Sequence, residues 1–207
     1  MKFSIIIPAY NSEKYIYKAL NSIRNQTFKD YELIVICDSC TDDTENIAKQ
    51  YDAITKSVNF HCDGPTRNVG LDIATGDWVL FMDDDDWWLH EFVLDQLDQK
   101  TAFMREDILA FSFIWKGLGY TFPLSMSDDY YPAVWNKCWR RSFIGDTRFP
   151  NVYSISDYYF HNEMMKKCPK IVNWCMPLYY YNYLREGSIS YEMGRNVKET
   201  KKYWEKK

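Results

Sequence analysis

Four consecutive aspartates, Asp83 to Asp86, are the residues of this chain best suited to chemistry. They directly follow an apolar run, Trp78 to Met82, and precede two tryptophans. Open α/β sheets bind ligands at the carboxyl ends of their strands, and carboxylate oxygens are preferred ligands of Mg²⁺ and Mn²⁺. A solvated acidic loop or a calcium site is the ordinary alternative, but it does not explain the flanking apolar and aromatic residues. The pattern therefore predicts an enzyme that handles a metal-bound phosphate.

The composition is that of one folded domain. The chain has 207 residues, 46% of them hydrophobic and 26% charged, and this length supports one substantial core. With a net charge of −4, the chain lacks the basic surface that binding to nucleic acid requires. No apolar run is long enough for a membrane span, and the first one stops at Pro8, too early for a signal sequence. We therefore expect a cytoplasmic protein without a nucleic-acid partner.

The cysteines are too sparse for a disulfide scaffold, so reduced thiols are expected. They are Cys37, Cys40, Cys62, Cys138, Cys168 and Cys175. A Cys-x-x-Cys pair, Cys37 and Cys40, would suit a zinc or redox site together with the nearby dipeptide His61-Cys62. Without a second Cys-x-x-Cys motif, that interpretation is the weaker one.

The elements that must position the aspartates alternate between strand and helix. Phe3–Ile7 is an apolar run closed by Pro8, and a helix capped by Asn11 or Ser12 follows it. Tyr31–Cys37 predicts a second buried strand, followed by a helix capped by Thr41. Such alternation predicts parallel βαβ units with right-handed crossovers.

Later elements follow the same logic but become irregular in the second half. A helix over about Thr66–Ala74, stopped by Gly76, leads into the strand Trp78–Met82, and a further helix is predicted over Trp88–Gln99. The second half is predicted to contain a strand over Ile108–Trp115, a loop and short helix over Tyr130–Ser142, a helix over Asp157–Lys167 and an aromatic strand over Ile171–Tyr183.

Five short motifs precede the aspartate run in a fixed order. They are Ile6 to Asn11, Ser22 to Thr27, Cys37 to Asp42, Arg67 to Leu71 and Ala74 to Asp77. Each is weak alone, but their order and spacing closely resemble the family 2 glycosyltransferases with the GT-A fold. The resemblance covers most of residues 3–90. It continues more loosely through Trp135 to Lys137, Arg148-Phe149, Ser156 to Tyr158 and Arg185 to Ser190.

The resemblance implies an α/β, Rossmann-like GT-A fold of nucleotide-diphospho-sugar transferases. This is a three-layer sandwich with a mostly parallel central sheet. It also implies a single domain over residues 1–207. Residues 1–100 would form the nucleotide-sugar-binding half, residues 101–195 the acceptor-side half, and residues 196–207 a basic C-terminal tail.

The implied reaction moves a sugar from a nucleoside diphosphate sugar to a hydroxyl acceptor, with inversion at the anomeric carbon. UDP is the expected nucleotide, and a glycan or lipid-linked sugar is the expected acceptor, as in polysaccharide biosynthesis. A divalent ion, Mn²⁺ or Mg²⁺, would neutralise the leaving diphosphate, so the protein needs to supply only one base, for the acceptor hydroxyl.

Site residues are carried over from the family motifs position by position. The Asp-x-Asp motif that holds the metal and touches the donor ribose corresponds to Asp83, Asp84 and Asp85, with Asp83 and Asp85 as metal ligands. The residues expected at the nucleotide are Pro8, Tyr10, Asp38, Arg67, Arg185 and Ser188, with Tyr10 stacking on the base and Asp38 pairing with it. Asp86 matches a residue that often follows the motif in the family, and its role is open.

Asp157 corresponds to the catalytic base, the aspartate of a Glu-Asp pair. Three positions depart from the family pattern. Ser156 replaces that glutamate, Cys37 replaces the first acid of an Asp-Asp pair, and Ser39 replaces a glycine or similarly small residue. On local sequence alone, Asp157 would be a helix N-cap.

Two other functions remain open. A nucleotidyltransferase would share the α/β core and the metal, but Pro8 to Asn11 lacks the glycine-rich phosphate loop expected of one. A non-catalytic nucleotide-sugar or glycan-binding relative would explain the altered acidic pairs. The lysine-rich tail, residues 196–207, would suit peripheral contact with an anionic membrane, although a solvated helix is the favoured interpretation.

Overall fold

The computed structural model describes residues 1–115, 121–122, 131–153, 155–167 and 169–182. Its strands are β1 (Phe3–Ala9), β2 (Tyr31–Asp38), β3 (Ile54–Val58), β4 (Trp78–Phe81), β5 (Trp87–Trp88), β6 (Ile108–Trp115), β7 (Thr121–Phe122), β8 (Lys137–Arg140) and β9 (Ile171–Tyr181). Its helices are α1 (Ile16–Arg24), α2 (Thr44–Lys49), α3 (Asp63–Ile73), α4 (Val93–Thr101), α5 (Arg141–Ile144) and α6 (Ser156–Lys166).

These strands form one mixed sheet in the order β3-β2-β1-β4-β8-β6-β9-β5, with β7 beside β6. The first four neighbours are parallel, and β1 pairs with both β2 and β4. Strand β8 is antiparallel to β4 and β6, whereas β6 and β9 run parallel with a bulge. The long apolar runs of β1, β2 and β4 lie in the parallel part of the sheet, because strands covered on both faces must be apolar throughout.

Helices cover both faces of the sheet, as the three-layer prediction requires. Alternate residues of β1 point to opposite sides, since side chains alternate along a strand. Ile5 and Ile7 belong to an apolar cluster that includes buried residues of α1, α2 and α4. Ile6 belongs to a second cluster, with residues of α3, α5 and α6. The α/β prediction of a mostly parallel GT-A-like sandwich is confirmed.

Two glycines allow elements to approach more closely than other residues would. A Cβ at Gly70 would lie 2.4 Å from Ile6 Cγ2, so glycine lets α3 pack directly on β1. A Cβ at Gly76 would lie 2.6 Å from the Ser4 amide nitrogen. Gly76 was predicted to stop the helix, but α3 ends at Ile73, and the glycine instead accommodates the neighbouring strand.

Several predicted boundaries were wrong for local reasons. Strand β1 continues through Pro8 to Ala9, and α1 begins at Ile16 without a side-chain cap from Asn11 or Ser12. Helix α2 begins at Thr44 rather than after a Thr41 cap, because the Thr41 amide donates to Asn11 Oδ1 at 2.8 Å. The side chain of Asn11 thus joins the β1 and β2 loops instead of capping a helix.

The remaining differences concern strands. Strand β3 was not predicted, and β8 lies inside the segment predicted as a loop and short helix. The two tryptophans of β5 pair with β9, so the helix predicted from Trp88 begins only at Val93. Helix α3 starts earlier than predicted, at Asp63. The helix at α6 and the strands β6 and β9 were predicted close to their observed bounds.

Within the described ranges, no helix has both the length and the apolar character needed to cross a membrane. The basic tail lies outside those ranges, so peripheral membrane contact stays a prediction.

Candidate active site

The carboxyl ends of β1, β2 and β4 approach the start of α6 at one edge of the sheet. Five non-glycine residues in the described ranges have positive φ, and four of them border this edge: Asn11, Ser39, His61 and Ile155, with φ from 44° to 55°. This left-handed backbone costs about 1–3 kcal/mol for each non-glycine residue and persists only where surrounding contacts enforce it. Such strain is typical of a functional site.

Asp38, at the end of β2, organises the loop between β3 and α3. Its Oδ1 accepts the amides of Phe60 (2.7 Å) and His61 (3.0 Å), while its Oδ2 accepts the Cys62 amide (2.8 Å) and the Thr66 hydroxyl (2.9 Å). Only 5% of Asp38 is exposed. Burial alone would raise the pKa of Asp38, but these hydrogen bonds hold it below its usual value. Asp38 is therefore an ionised anchor of the loop, and its pairing with a nucleotide base stays a prediction.

Tyr10 and His61 form a partly open aromatic edge above this anchor. Their ring centroids lie 6.3 Å apart in an edge-to-face arrangement, and Tyr10 is 57% exposed. Ser39 Oγ lies 3.3 Å from His61 Nε2 and 2.7 Å from Asn59 Oδ1, which links the β2 turn to the loop after β3. An exposed aromatic face at this position suits stacking on a planar base. Pro8 lies within β1, two residues before Tyr10.

The aspartate run is tied to this edge through Asp84. The Tyr10 amide donates to Asp84 Oδ2 at 3.2 Å, which brings the loop after β1 and the turn after β4 together. Tyr10 and Asp84, both predicted at the donor, are therefore in contact although 74 residues separate them in sequence.

Arg67, on α3, connects the aspartate run with the second half of the chain. Its Nη2 donates to Asp83 Oδ1 at 2.9 Å, and its Nη1 donates to the Asp63 carboxylate and to Ser156 Oγ at 3.4 Å. The guanidinium also lies over the Phe149 ring, 5.6 Å from its centroid. Two acidic motifs, one from each half, therefore converge on one buried arginine.

The charges in this cluster shift one another strongly. Burial alone would lower the pKa of Arg67, but the carboxylates of Asp63, Asp83 and Asp157 raise it above its usual value, so the guanidinium stays charged. Burial raises the pKa of Asp83 to about 6, with Arg67 opposing and Asp85 and Asp157 adding to the rise. Titratable groups perturbed by both burial and specific charges are typical of functional sites.

Asp157 lies in the first turn of α6 and takes part in this cluster. The residue that caps the helix is Ile155, so the N-cap alternative for Asp157 does not hold. The Tyr158 amide donates to Asp157 Oδ1 at 2.9 Å. Burial raises the pKa of Asp157, while the Arg67 charge counteracts the rise. A carboxylate with a raised pKa suits proton abstraction near neutral pH.

Ser156 and Gly64 explain how α3 and α6 meet. Ser156 is fully buried, and its hydroxyl donates to Asp63 Oδ2 at 2.8 Å. A Cβ at Gly64 would lie 2.5 Å from the Pro150 carbonyl oxygen and 3.1 Å from Ser156 Cβ. Glycine therefore lets the first turn of α3 contact the segment before α6, and the serine at the position of the expected glutamate fits the same close contact.

Asp86 differs from the other three aspartates because it is fully buried. Its Oδ2 accepts the Tyr179 hydroxyl at 2.6 Å and its Oδ1 accepts the Asn182 amide at 2.7 Å. The same hydroxyl accepts the Asp83 amide at 3.1 Å. Burial raises the pKa of Asp86 well above its usual value. Asp86 thus holds the aspartate turn against β9, an arrangement that suits support rather than metal binding.

This architecture agrees with comparisons with known proteins. Residues 4–167 match the sequence model of Glycosyl transferase family 2. The chain belongs to this family. The poly(ribitol-phosphate) beta-N-acetylglucosaminyltransferase TarS of Staphylococcus aureus (strain Mu50 / ATCC 700699) is 33% identical over 214 residues, which is 90% of this family 2 chain and 36% of TarS. The chain therefore spans about a third of the length of that relative.

Another relative and two solved structures are also similar to the chain. The GalNAc(5)-diNAcBac-PP-undecaprenol beta-1,3-glucosyltransferase of Campylobacter jejuni is 32% identical over 193 residues, 77% of the family 2 chain and 62% of that protein. The crystal structure of S. aureus TarS 1-349 in complex with UDP-GlcNAc has a TM-score of 0.80 at 28% identity and covers 92% of the family 2 chain and 61% of TarS 1-349. The structure of the mannosyltransferase PcManGT from Pyrobaculum calidifontis is similar to that of the chain, with a TM-score of 0.74 at 15% identity. The match covers 94% of the chain and 60% of PcManGT. At this low identity the similarity supports the fold alone.

The described part of this family 2 chain has no group of three or more His, Cys, Asp or Glu side chains arranged to hold a metal. The predicted ligands Asp83 and Asp85 both lie partly exposed at this edge of the sheet. Two carboxylates without a full protein cage fit Mg²⁺ or Mn²⁺ bound together with substrate phosphates, the usual mode for such ions. The metal stays a prediction. Arg185 and Ser188 lie outside the described residues.

Sequence reasoning does not identify two residues of the site, Asp63 and Tyr179. Asp63 lies four residues before Arg67, and this helical spacing of opposite charges was the available signal. Tyr179 is separated from Asp86 by 93 residues and has no local signal. Of the described cysteines, Cys37, Cys40, Cys62 and Cys138 are free thiols.

Proposed function

We propose that the protein is an inverting glycosyltransferase that moves a sugar from a UDP-sugar to a hydroxyl of a glycan or lipid-linked acceptor. The observation that carries this proposal is the convergence on Arg67, where Asp83 from the donor half and Ser156-Asp157 from the acceptor half meet. Transfer needs a diphosphate-binding group and a base on opposite sides of one reacting carbon. The similarity to TarS, solved with UDP-GlcNAc, supports a UDP-sugar as donor.

On the donor side, the exposed ring of Tyr10 would stack on the uracil, and the loop anchored by Asp38 would enclose it. Asp83 and Asp85 would hold a divalent ion, Mn²⁺ or Mg²⁺, which when bound would offset the charge of the leaving diphosphate. Arg67 keeps its positive charge beside Asp83 and limits repulsion among the carboxylates. The donor half would thus bind and orient the nucleotide.

On the acceptor side, Asp157 would accept the proton of the attacking hydroxyl. Burial raises the pKa of Asp157 toward the pH at which a base works, while the Arg67 charge limits the rise. The hydroxyl oxygen forms the new bond to the anomeric carbon as the bond to the diphosphate breaks. Attack from the face opposite the leaving group gives inversion.

The test compares Asp157→Asn, Asp85→Asn and an exposed control, Asp146→Asn, in nucleotide binding and UDP-sugar turnover. Asp157→Asn should lower kcat by about 10²–10⁴-fold with UDP binding retained, since that is the usual effect of losing a positioned base. Asp85→Asn should remove the additional thermal stabilisation that Mn²⁺ gives with UDP, because ligand binding stabilises only the native state that forms the site. Asp146→Asn should match the wild type.

The outcomes separate the alternatives. Unchanged turnover in Asp157→Asn would exclude Asp157 as the base, and unchanged Mn²⁺ dependence in Asp85→Asn would exclude it as a metal ligand. Nucleotide binding without turnover over a broad acceptor panel would favour a non-catalytic relative. Release of pyrophosphate from a nucleoside triphosphate and a sugar phosphate would identify a nucleotidyltransferase.

A further inference from the structure

Lys137 is a fully buried lysine to which the proposed reaction assigns no role. It is 0% exposed, and its Nζ donates to the Tyr131 carbonyl (2.7 Å), the Ala133 carbonyl (2.7 Å) and Asn136 Oδ1 (2.8 Å). Burying a lysine is costly unless its donors are satisfied. Three acceptors match the three hydrogens of an ammonium group, so the contacts select the charged form. Such a group fixes the segment 131–136 at one point.

That segment carries Trp135, which packs against β9. The Trp135 ring is stacked on Tyr179, with centroids 4.7 Å apart and an interplanar angle of 11°. It also stacks on Tyr181 at 4.9 Å and meets Phe113 edge-on at 4.7 Å. Trp135 is only 4% exposed. Because rings in such contact restrict one another, the position of Tyr179 depends on where the segment 131–136 places Trp135.

Tyr179 in turn holds the aspartate run. Its hydroxyl donates to Asp86 and accepts from the amide of Asp83, so one atom binds both ends of the run. Two side chains, Trp135 and Tyr179, therefore connect the Lys137 ammonium to the turn that carries the predicted metal ligands.

We infer that Lys137 is a positioning residue that fixes the aspartate run through Trp135 and Tyr179. As a role in donor binding, this rests on the proposed function, but the mechanical connection can be measured without any ligand. Two amides report it directly. The Asp83 amide donates to the Tyr179 hydroxyl, and the Asn182 amide donates to Asp86.

The experiment measures amide hydrogen exchange by NMR in the wild type, Lys137→Met and a matched control, Lys167→Met. Lys167 also donates to two backbone carbonyls, those of Phe143 and Ile144, but it is exposed and belongs to the end of α6. The pH is kept near 6, because burial lowers the pKa of Lys137 to about 7, opposed by the Asp157 carboxylate, and the ammonium then has all three hydrogens.

In Lys137→Met, exchange at the Asp83 and Asn182 amides should accelerate about tenfold or more, the factor expected when one hydrogen bond of a charged group is lost. Lys167→Met should exchange like the wild type. A milder variant, Asn136→Ala, removes one of the three acceptors and should give a smaller acceleration at the same two amides, which keeps the test decisive if Lys137→Met does not fold.

Acceleration confined to the segment 131–136 in both variants would overturn the inference, because Lys137 would then stabilise only its own segment. Equal acceleration in Lys167→Met would overturn it as well. If the wild type bound no nucleotide, the proposed function would fail, whereas the exchange rates would still decide the role of Lys137. If it binds UDP with Mn²⁺, the Kd should rise in parallel with the exchange rates of the two amides.

Discussion

Replacement of Asp38 should destabilise the protein. The size of the loss depends on the hydrogen bonds that the two carboxylate oxygens of Asp38 accept. In Asp38→Asn, Oδ1 can still accept the amides of the exposed residues Phe60 and His61, but Nδ2 replaces the acceptor of the buried Cys62 amide. A donor then faces a donor, and a hydrogen bond to a charged group is lost, at a cost of about 2 kcal/mol. Asp38→Ala also removes Oδ1, the acceptor of the Phe60 and His61 amides, and should cost about 4 kcal/mol.

Urea unfolding at a series of pH values measures these differences, with Asp146→Asn as an exposed control. The folded-state pKa of Asp38 lies below its usual value, so the ionised carboxylate stabilises the fold above the unfolded-state pKa of about 3.9. This contribution is lost as the pH falls through the lower, folded-state pKa. The difference between wild type and Asp38→Asn should therefore be constant near neutral pH and shrink in acid.

Equal urea midpoints for wild type and Asp38→Asn at pH 7 would refute this account of the loop. So would a difference that persists unchanged at the lowest pH at which the wild type is folded. Either result would mean that Asp38 does not anchor the amides of residues 60–62 and would favour a role confined to nucleotide contact.

Two further predictions concern other parts of the site. The contact with Cys37 lowers the pKa of Cys40 below that of a free thiol. Alkylation of Cys40 by iodoacetamide, followed by mass spectrometry, should therefore reach half its maximal rate at a lower pH than alkylation of a free thiol. A midpoint equal to that of a free thiol would contradict the contact. Gly64→Ala should cost about 1–3 kcal/mol in urea unfolding, because its Cβ would lie 2.5 Å from the Pro150 carbonyl oxygen. An unchanged urea midpoint would show that the close approach of α3 to residue 150 is not constrained.

The parallel half of the fold is predictable from sequence because its strands are continuous apolar runs separated by helical spacing. Strand β3 lacks such an apolar run, since Ile54–Val58 lies at the sheet edge and is mostly exposed. Strand β8 lacks it for another reason. Two of its four residues, Lys137 and Arg140, are cationic, and the buried lysine is satisfied by carbonyls that local sequence does not reveal.

The candidate site was predictable as separate motifs but not as a network. Asp83 could be singled out because it follows a recognisable strand, and Asp157 because the family resemblance assigns a catalytic base to its position. Their meeting at Arg67 depends on the packing of α3 against α6, and the support of Asp86 by Tyr179 joins residues 93 positions apart. Contacts of this range follow from the order of the strands in the sheet and have no periodic signal along the chain.

The serine at position 156 fits the charge balance of the cluster around Arg67. Arg67 already faces Asp63, Asp83 and Asp157, and Asp63 Oδ2 lies 2.8 Å from the buried Ser156 hydroxyl. A glutamate at position 156 would place a fourth carboxylate against Asp63, where two neighbouring acids cannot both ionise without a large pKa shift. Serine instead donates a hydrogen bond to Asp63 and leaves that carboxylate to pair with Arg67. The serine therefore has a structural reason that holds whether or not the protein is catalytic.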